Sequence, residues 1–582
     1  MTESSGLAVE INHEQTHGLD RLQTEESCYP QLSLCLREYT DSRTDSDHYD
    51  AEKGKASLTP KSAANENSSA ADAQTSSGWW RRRWRSVERT LVRYNLEARG
   101  IQRVLPDERH DMRQLGYIQI AILWFSVNLT ANNLTLGMLG PAVYYLPFLD
   151  SCLCAVFGAI VGSLPVAYIA TFGPRSGNRT VSLTPTPLTV EAKSLTPAGL
   201  QMVFARYSMG FYPSKIIVIL NLIVLLGYSL IDTVVAGQIL SAVSPNGSMS
   251  VIVGIIITAV IAWCITTFGY GVFHYYERYA WLPQLIVVCI LAGAAGPQFD
   301  LYGNPSAGET EDTIIGNRLS FFSLCLAAAI TYSGGAADYF VYYPEETPKH
   351  KVLFVTLAGL VCSFSPMFIL GIGLGSGMAT NSTWSDAYGV SQGALAVQGF
   401  ASLGPFGSFL SVVLALGLIA NLIAPTYSSG VDFQVLGRYL EKVPRVVWNT
   451  IGVIIYTVCA VAGRQNLANI FTNFLALMGY WVSIWIAIVL EEHLIFRKWL
   501  GIGWNWDAWN DRRKLPLGAA ALVAFVIGWI GSILCMAQVW YIGPLAALVG
   551  QYGADMGNYV GFGWAGLTYL PLRWLELRRL GR

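Results

Sequence analysis

The chain has 582 residues, is 52% hydrophobic and only 13% charged, and carries a formal net charge of −1; a soluble globular protein has about 25% charged residues. Its mean hydropathy is +0.39, and apolar runs of the length that crosses a bilayer as a helix recur along it. These values exclude an ordinary soluble globular protein, give no sign of nucleic-acid binding and set the class as integral membrane.

No apolar stretch lies in the first 30 residues, so a cleavable signal peptide is not expected. Residues 1 to about 78 are rich in Ser, Thr, Glu, Asp and Asn and read as a disordered tail. "GWWRRRWRSVER" follows, Gly78 to Arg89, a mixture of Trp and Arg that suits either an anionic cytoplasmic leaflet or a solvated basic helix. The organisation expected is a cytoplasmic, largely disordered tail over 1–115, a transmembrane domain over 116–570 and a cytoplasmic C-terminus over 571–582.

About twelve spans are predicted, near 116–139, 142–172, 213–243, 249–270, 279–296, 319–343, 352–376, 404–428, 443–463, 466–495, 516–537 and 540–570. Connections predicted inside carry Arg175, Arg206, Lys215, Arg278, Lys349, Lys351, Arg438, Lys442, Arg445, Arg497, Lys498 and Arg512 to Lys514. The outer connection "PQFDLYGNPSAGETEDTIIGNR" has one Arg and is otherwise acidic. An even number of spans with both termini in the cytoplasm satisfies this asymmetry. The N-S-T sequon at Asn381 falls outside on this scheme, as does the one at Asn246, close to the bilayer.

Span 1 reads "WFSVNLTANNLTLGMLGP", Trp124 to Pro141, where Asn128, Asn132 and Asn133 make poor material for a regular lipid-facing helix. Span 6 reads "AAAITYSGGAADYFVYYP", Ala327 to Pro344, with a break expected at Ser333-Gly334-Gly335 and Asp338 just after it. Unwound backbone at membrane depth is tolerated where it lines a protein cavity. Small residues also serve plain helix packing. Broken helices five spans apart, in repeats that must then be inverted, are the sequence mark of a transporter's central site. In span 3, Asp232 sits mid-membrane, at a cost of about 2.5–3.5 kcal/mol on insertion scales. Tyr228 shares its helix face. In span 8, "ANLIAPTYSSG" places Asn421 one turn before Pro425, which is expected to interrupt the helix. Tyr228, Asp232, a span 6 Tyr and Asn421 are thus candidates to surround one flat, polar ligand.

Several stretches share one likeness: "EARGIQRVLPDERHD", "ATFGPRSG", "QMVFARYSMGFYPSK", "FGYGVFHYYERYAWLPQLIVVCILAG", "AADYFVYYP", "NFLALMGYWVSIWIAIVLEEHLIF" and the C-terminal "GPLAALVGQYGADMGNYVGFGWAGLTYLPLRWLELRRLGR". By these the chain resembles fungal purine–cytosine permeases of the nucleobase–cation symporter-1 family. The stretches cover nearly everything from about residue 93 onward. The resemblance implies an all-α integral membrane fold of about twelve transmembrane helices. Ten form a five-plus-five inverted repeat with helices 1 and 6 broken, and two more follow. It also implies alternating access and proton-coupled import of nucleobases at the plasma membrane, with the proton as coupling ion and no cofactor. The family's substrate residues map onto Ser126, Tyr228, Asp232, Tyr332 and Asn421, with departures. Tyr228 and Asp232 stand where the family usually has Trp and Asn, Tyr332 where it has Trp, and Leu422 and Thr426 where it has Asn. Pro425, Tyr427 and Ser428 match.

A protonated Asp232 offers the same donor and acceptor as that Asn, and burial disfavours its charged form. Asp232 is therefore expected to be protonated when substrate is bound, reading the ring edge either as a permanently neutral group or as a site of the coupling proton. A third reading keeps it ionised for a cationic cargo. Asp338 is the other candidate for coupling.

Other signals are weaker. "GIGLGSG" (Gly371 to Gly377) lacks the Lys of a phosphate loop and reads as helix packing. "EEH" (Glu491 to His493) reads as a solvated helix end rather than metal ligands, and Asp150 as a local cap or pair. Asp432 and Gln434 lie near the inner end of span 8, where solvation is cheap. The 10 Cys are scattered, so neither a disulfide framework nor a zinc site is expected. No nucleophile–base signature marks an enzyme. The cargo alternatives are a nucleobase and another aromatic heterocycle such as a pyridoxine-like vitamin; a non-transporting receptor is the reading from another class.

The likeness stops between "ATFGPRSG" and "QMVFARYSMG". Residues 178–199 are either a Pro- and Thr-rich loop insertion or a retained intron. Gly177-Asn178 can encode a fungal-type donor, Leu195-Thr196 a branch-point element and Ala198-Gly199 the acceptor CAG, and excision keeps the frame as "GPRSGLQMVFARYS". Sequencing transcripts across this site decides: the intron reading expects a spliced form, and retention in every transcript removes it.

Overall fold

The computed structural model describes residues 116–176, 203–244, 248–268, 279–341, 343–437, 439–440, 443–508 and 511–581. The N-terminal tail with its Trp/Arg segment, the 178–199 segment, the Asn246 sequon, and Arg278, Arg438 and Lys442 lie outside these residues.

Long apolar runs become helices because lipid offers no partner to a backbone N–H or C=O. The first run is divided into α1 (Tyr117–Asn128) and α2 (Ala131–Ala142). Each is 12 residues long, about 18 Å of rise, so neither alone spans a hydrocarbon core of about 30 Å. Leu129 and Thr130 form the gap, with Thr130 extended. Side chains close it: Asn133 Nδ2 donates to the Asn128 carbonyl at 2.8 Å, and Asn128 Nδ2 to the Trp124 carbonyl at 3.2 Å.

Then come α3 (Phe148–Ala170), α4 (Ser214–Val243), α5 (Val251–Phe268), α6 (Trp281–Ala295) and α7 (Glu311–Ile330). The sixth run loses its α-helical turn at Ile330 and continues as 3-10 segments, Thr331–Gly334 and Ala336–Phe340. After these stand α8 (Lys349–Gly377), α9 (Pro405–Val435), α10 (Arg445–Gly463), α11 (Ala476–Glu491), α12 (Ala519–Cys535) and α13 (Gly557–Leu580). Among the described residues nine helices are long and apolar enough to cross a membrane, and Tyr117–Asn128 and Ala519–Cys535 are shorter apolar helices.

The last predicted span is displaced. Ala537–Gln538 (β1) pairs antiparallel with Tyr541–Ile542 (β2), and Gly550 and Gly553 hold positive φ, so no helix starts near 540. The helix begins at Gly557 and runs to Leu580, through most of the stretch expected as a C-terminal tail. Pro425 also fails to interrupt its helix, since α9 is continuous through it.

Two groups of helices emerge. The broken α1–α2, α3, α7 and α8 pack on one another, and α4, α5, α9 and α10 form a second set; α6 touches both. Glycine allows the closest approach within the first. A Cβ on Gly371 would collide with the Leu134 carbonyl of α2, which accounts for the glycine-rich "GIGLGSG" as packing. Asp150 pairs with Arg318 of α7, 168 positions away, at 2.6 Å, rather than locally. Phe172 and Phe204, which flank the 178–199 segment in the sequence, have ring centroids 4.7 Å apart.

The "EEH" motif is not a solvated end. Glu492 is buried and accepts from Arg573 Nε at 3.0 Å and Tyr569 at 2.8 Å on Oε2. Arg497 meets its Oε1 at 2.7 Å, and Arg573 reaches on to Glu576, whose oxygens receive the Gly518 and Ala520 N–H groups at the start of α12. His493 accepts from Trp504 Nε1 at 3.0 Å. Removing one partner of a buried pair strands the other, at about 3–5 kcal/mol. Glu492→Gln is expected to lower the thermal midpoint of the detergent-solubilised protein by that equivalent. Asp150→Asn, whose partner Arg318 is 44% exposed, should cost only about 0–1 kcal/mol. Equal midpoints for both variants would remove the network from the stability of this end.

Candidate functional site

Asp232 lies on the buried face of α4 with none of its surface exposed. Its Oδ1 accepts from Asn132 Nδ2 at 2.7 Å and its Oδ2 from Asn421 Nδ2 at 2.9 Å. The two amides come from the start of α2, just past the gap in the first span, and from α9. Asn132 cannot turn over without loss, because its Oδ1 already receives the Asn133 N–H at 2.7 Å and the Thr130 hydroxyl at 2.5 Å. It must present its NH2 to Asp232. Asn421 is not fixed in this way. With its amide reversed it accepts from a protonated Asp232, so the pair accommodates either protonation state.

Pro425 acts on the same residue. Having no N–H, it removes the usual intrahelical donor to the Asn421 carbonyl. Asn421 lines a cleft together with Ser126 and Thr130 from the broken first span and Gln284 from α6, walled by small residues such as Gly417 and Ala420. Ser126 and Asn421 therefore share one cavity. Tyr228, Asp232 and Tyr332 do not line it, and Asp232 is reached through Asn421.

Tyr228 and Tyr332 pack against each other with ring centroids 6.1 Å apart and planes 44° apart. A flat ring between two others needs about 7 Å or more between them, so a ligand enters only if these rings part. Tyr228 also bonds to Thr331 Oγ1 at 2.7 Å and donates to the Ala328 carbonyl at 3.2 Å, satisfying backbone where α7 loses its helix. Tyr332 meets Trp124 and Phe364 edge-on. Asp338 is buried in the second 3-10 segment and lies within electrostatic reach of Asp432. Asp432 itself is fully buried and accepts from Asn221 of α4 at 2.9 Å. This corrects its expected solvation: position along α9 gives depth, but α4 covers it.

Two further residues, one beside Asp232 and one in the cleft, are not marked as site residues by the sequence. Asn132 had its signal in the Asn-rich break, but its partner is 100 positions away. Gln284 is a lone amide in an apolar run; its Nε2 donates to the Val413 carbonyl at 2.6 Å, and its buried Oε1 has no partner among the described residues.

A family described as "Permease for cytosine/purines, uracil, thiamine, allantoin" matches residues 198–501, more than half of the chain. The match begins next to the junction predicted after Gly199. The Vitamin B6 transporter TPN1 of Saccharomyces cerevisiae is 30% identical over 537 residues, covering 84% of this chain and 88% of that one. The purine-cytosine permease fcyB of Emericella nidulans is 32% identical over 501 residues, covering 85% and 92%. Among solved structures, Mhp1, a nucleobase-cation-symport-1 family transporter in a closed conformation with bromovinylhydantoin bound, shares the fold. Its TM-score is 0.54 at 14% identity, over 83% of this chain and 95% of that one.

If the two tyrosines flank the ligand ring, Tyr228→Ala and Tyr332→Ala should each weaken binding by about 1–3 kcal/mol, the scale of base–aromatic stacking, with Phe substitutions milder. Binding of labelled ligand to purified variants checks this. Parental affinity in both Ala variants would place the ring away from the tyrosines.

Proposed function

The chain belongs to the family of permeases for cytosine/purines, uracil, thiamine and allantoin, and from that premise we propose that it imports nucleobases, purines or cytosine, with protons and by alternating access at the plasma membrane, with both termini in the cytoplasm. The observation that carries this reading is the Asp232 carboxyl, held at membrane depth between Asn132 of the broken first span and Asn421 of α9. Such a cluster offers hydrogen bonds to the edge of a heterocycle and, with Asp232 protonated, buries no isolated charge. Ser126 and Gln284 supply further polar contacts across the cleft, and Tyr228 and Tyr332 take the ring faces once parted.

In the cycle proposed, substrate enters the cleft from outside, displaces the contact between the tyrosines and meets the Asn421–Asp232 pair. Closure then moves the α1–α2, α3, α7, α8 group against the α4, α5, α9, α10 group. The breaks at Leu129-Thr130 and Thr331–Gly335 lie where these groups meet, so they are the elements that absorb the change.

A second reading is supported by one feature. Asp232 stands where the family usually has Asn, and a vitamin B6 transporter is among the relatives at 30% identity. A carboxylate there suits a pyridine-type ring that can carry a proton. Uptake of labelled adenine, guanine, hypoxanthine, cytosine and pyridoxine in cells lacking their own permeases separates the cargoes. Saturable nucleobase entry that a protonophore abolishes is expected. Entry of pyridoxine alone moves the reading to the vitamin, and no entry of any of them with the protein at the cell surface leaves a receptor. Asp232→Asn, which preserves the donor and acceptor, is expected to retain nucleobase uptake and its pH profile. Retained binding with loss of pH-dependent accumulation would instead make Asp232 the coupling site, and collapse of binding would indicate a cationic cargo.

A further inference from the structure

The α4–α9 pair carries one pattern twice. "NLIVLLGYSLID" over Asn221 to Asp232 and "NLIAPTYSSGVD" over Asn421 to Asp432 are identical at five of twelve positions, among them both ends. The helices run antiparallel, so the Asn of each meets the Asp of the other. Asn421 donates to Asp232 and Asn221 to Asp432, each at 2.9 Å. Three helical turns, about 16 Å, separate the two clasps. The Asn221–Asp432 clasp lies toward the end flanked by Lys215 and Arg445, the cytoplasmic end by charge.

The clasps differ in their supply of donors. Asp232 receives an N–H on each oxygen. Asp432 is as deeply buried but receives one, on Oδ2, while Oδ1 has no partner among the described residues. Among the described residues, the charged and titratable groups around it do not make up the difference. Asp338, from the broken sixth span, is a second acid. Arg445 of α10 lies over the Tyr427 ring at 3.9 Å. Asn449 of α10 donates to Thr266 and Thr267 of α5. Lys215 stands nearly two turns before Asn221 at the start of α4. A carboxylate removed from water with one hydrogen bond is costly, and the neutral acid is the form this surrounding favours. The cover over the clasp belongs to the other helix group: the Asn221 amide oxygen occupies the place a Cβ on Gly334 would take, at the break itself.

Resting on the proton-coupled reading above, we propose that Asp432, held by Asn221, is a proton-binding site of the transport cycle. It holds a proton while the sixth-span break covers the clasp and releases it to cytoplasmic water when the break moves away. In that step the O–H bond of the Asp432 carboxyl breaks, the proton passes to a water molecule, and Asn221 together with water stabilises the carboxylate left behind. Gly334 is the contact through which movement of the break reaches the acid.

The full-length protein in liposomes, given labelled adenine or cytosine under an imposed inward proton gradient, tests this. D432N keeps an acceptor for Asn221 but binds no proton. It is expected to equilibrate label by exchange and to lose accumulation above equilibration together with the pH dependence of uptake. Parental accumulation with the parental pH profile in D432N overturns the proposal. Infrared difference spectra across a pH step, without substrate, give a readout independent of transport. A protonated-carboxyl band present in the parent and in D232N but missing in D432N supports the site, and its survival in D432N overturns it. Should D432N not fold, Asn221→Ala is measured in the same way, since it keeps the acid and strips the clasp; a displaced band supports the assignment and an unmoved one overturns it. A parent protein that moves neither label sinks the import reading and leaves the infrared result to judge Asp432.

Discussion

A carboxyl at membrane depth has no water to bond with, so its partners must come from other parts of the chain. Asp232 meets this requirement with two amides, one fixed by its own neighbours and one not. The demand reaches far. It needs α2 to start beside α4, which needs the first span to be broken, and it needs Asn421 of α9 to face the same point. The gap at Leu129 and Thr130 is therefore the geometry that lets a helix start, with its side-chain amide, be delivered to mid-membrane.

The two helix groups are held internally in a different way from how they meet. Within the first, backbone approaches backbone over glycine, as at Gly371 against Leu134. Such close packing yields little without losing many small contacts together. Where the groups meet, the ring contact of Tyr228 with Tyr332 stands beside directional hydrogen bonds: Tyr228 to Ala328 and Thr331, and Asn132 to Asp232. Hydrogen bonds of this kind are worth about 1 kcal/mol each net and can be exchanged for bonds to a ligand or to water. A fold built so can slide one group on the other while each keeps its shape.

Much of this was legible in the sequence. Long apolar runs, basic flanks and the Asn- and Gly-rich interruptions follow directly from what lipid tolerates, and Asp232, Tyr228 and Asn421 stood out as polar residues in apolar surroundings. What stayed hidden depends on neighbours distant in sequence. Asp432 and Glu492 look solvated by their positions along their helices, and only α4 and Arg573 reveal them as buried. Asn132 was one of three similar residues until Asp232 selected it. Hydropathy also misplaced the last helix, because the hairpin at Ala537 to Ile542 is nearly as apolar as a span. Pro425 suggests a break by its residue type, yet in lipid a helix has more to lose by unwinding than by forgoing one hydrogen bond.

The unequal pair around Asp232 has a consequence for how its state can be observed. Asn132 is locked, whereas Asn421 can reverse its amide about one side-chain torsion when the acid gains a proton. That reversal moves no heavy atom out of place and merely exchanges a nitrogen for an oxygen. The two scatter X-rays almost alike, so charged and neutral forms of the centre would give superimposable density maps. Neutron diffraction or nitrogen resonance spectra, which register the hydrogens themselves, are the methods able to see the difference.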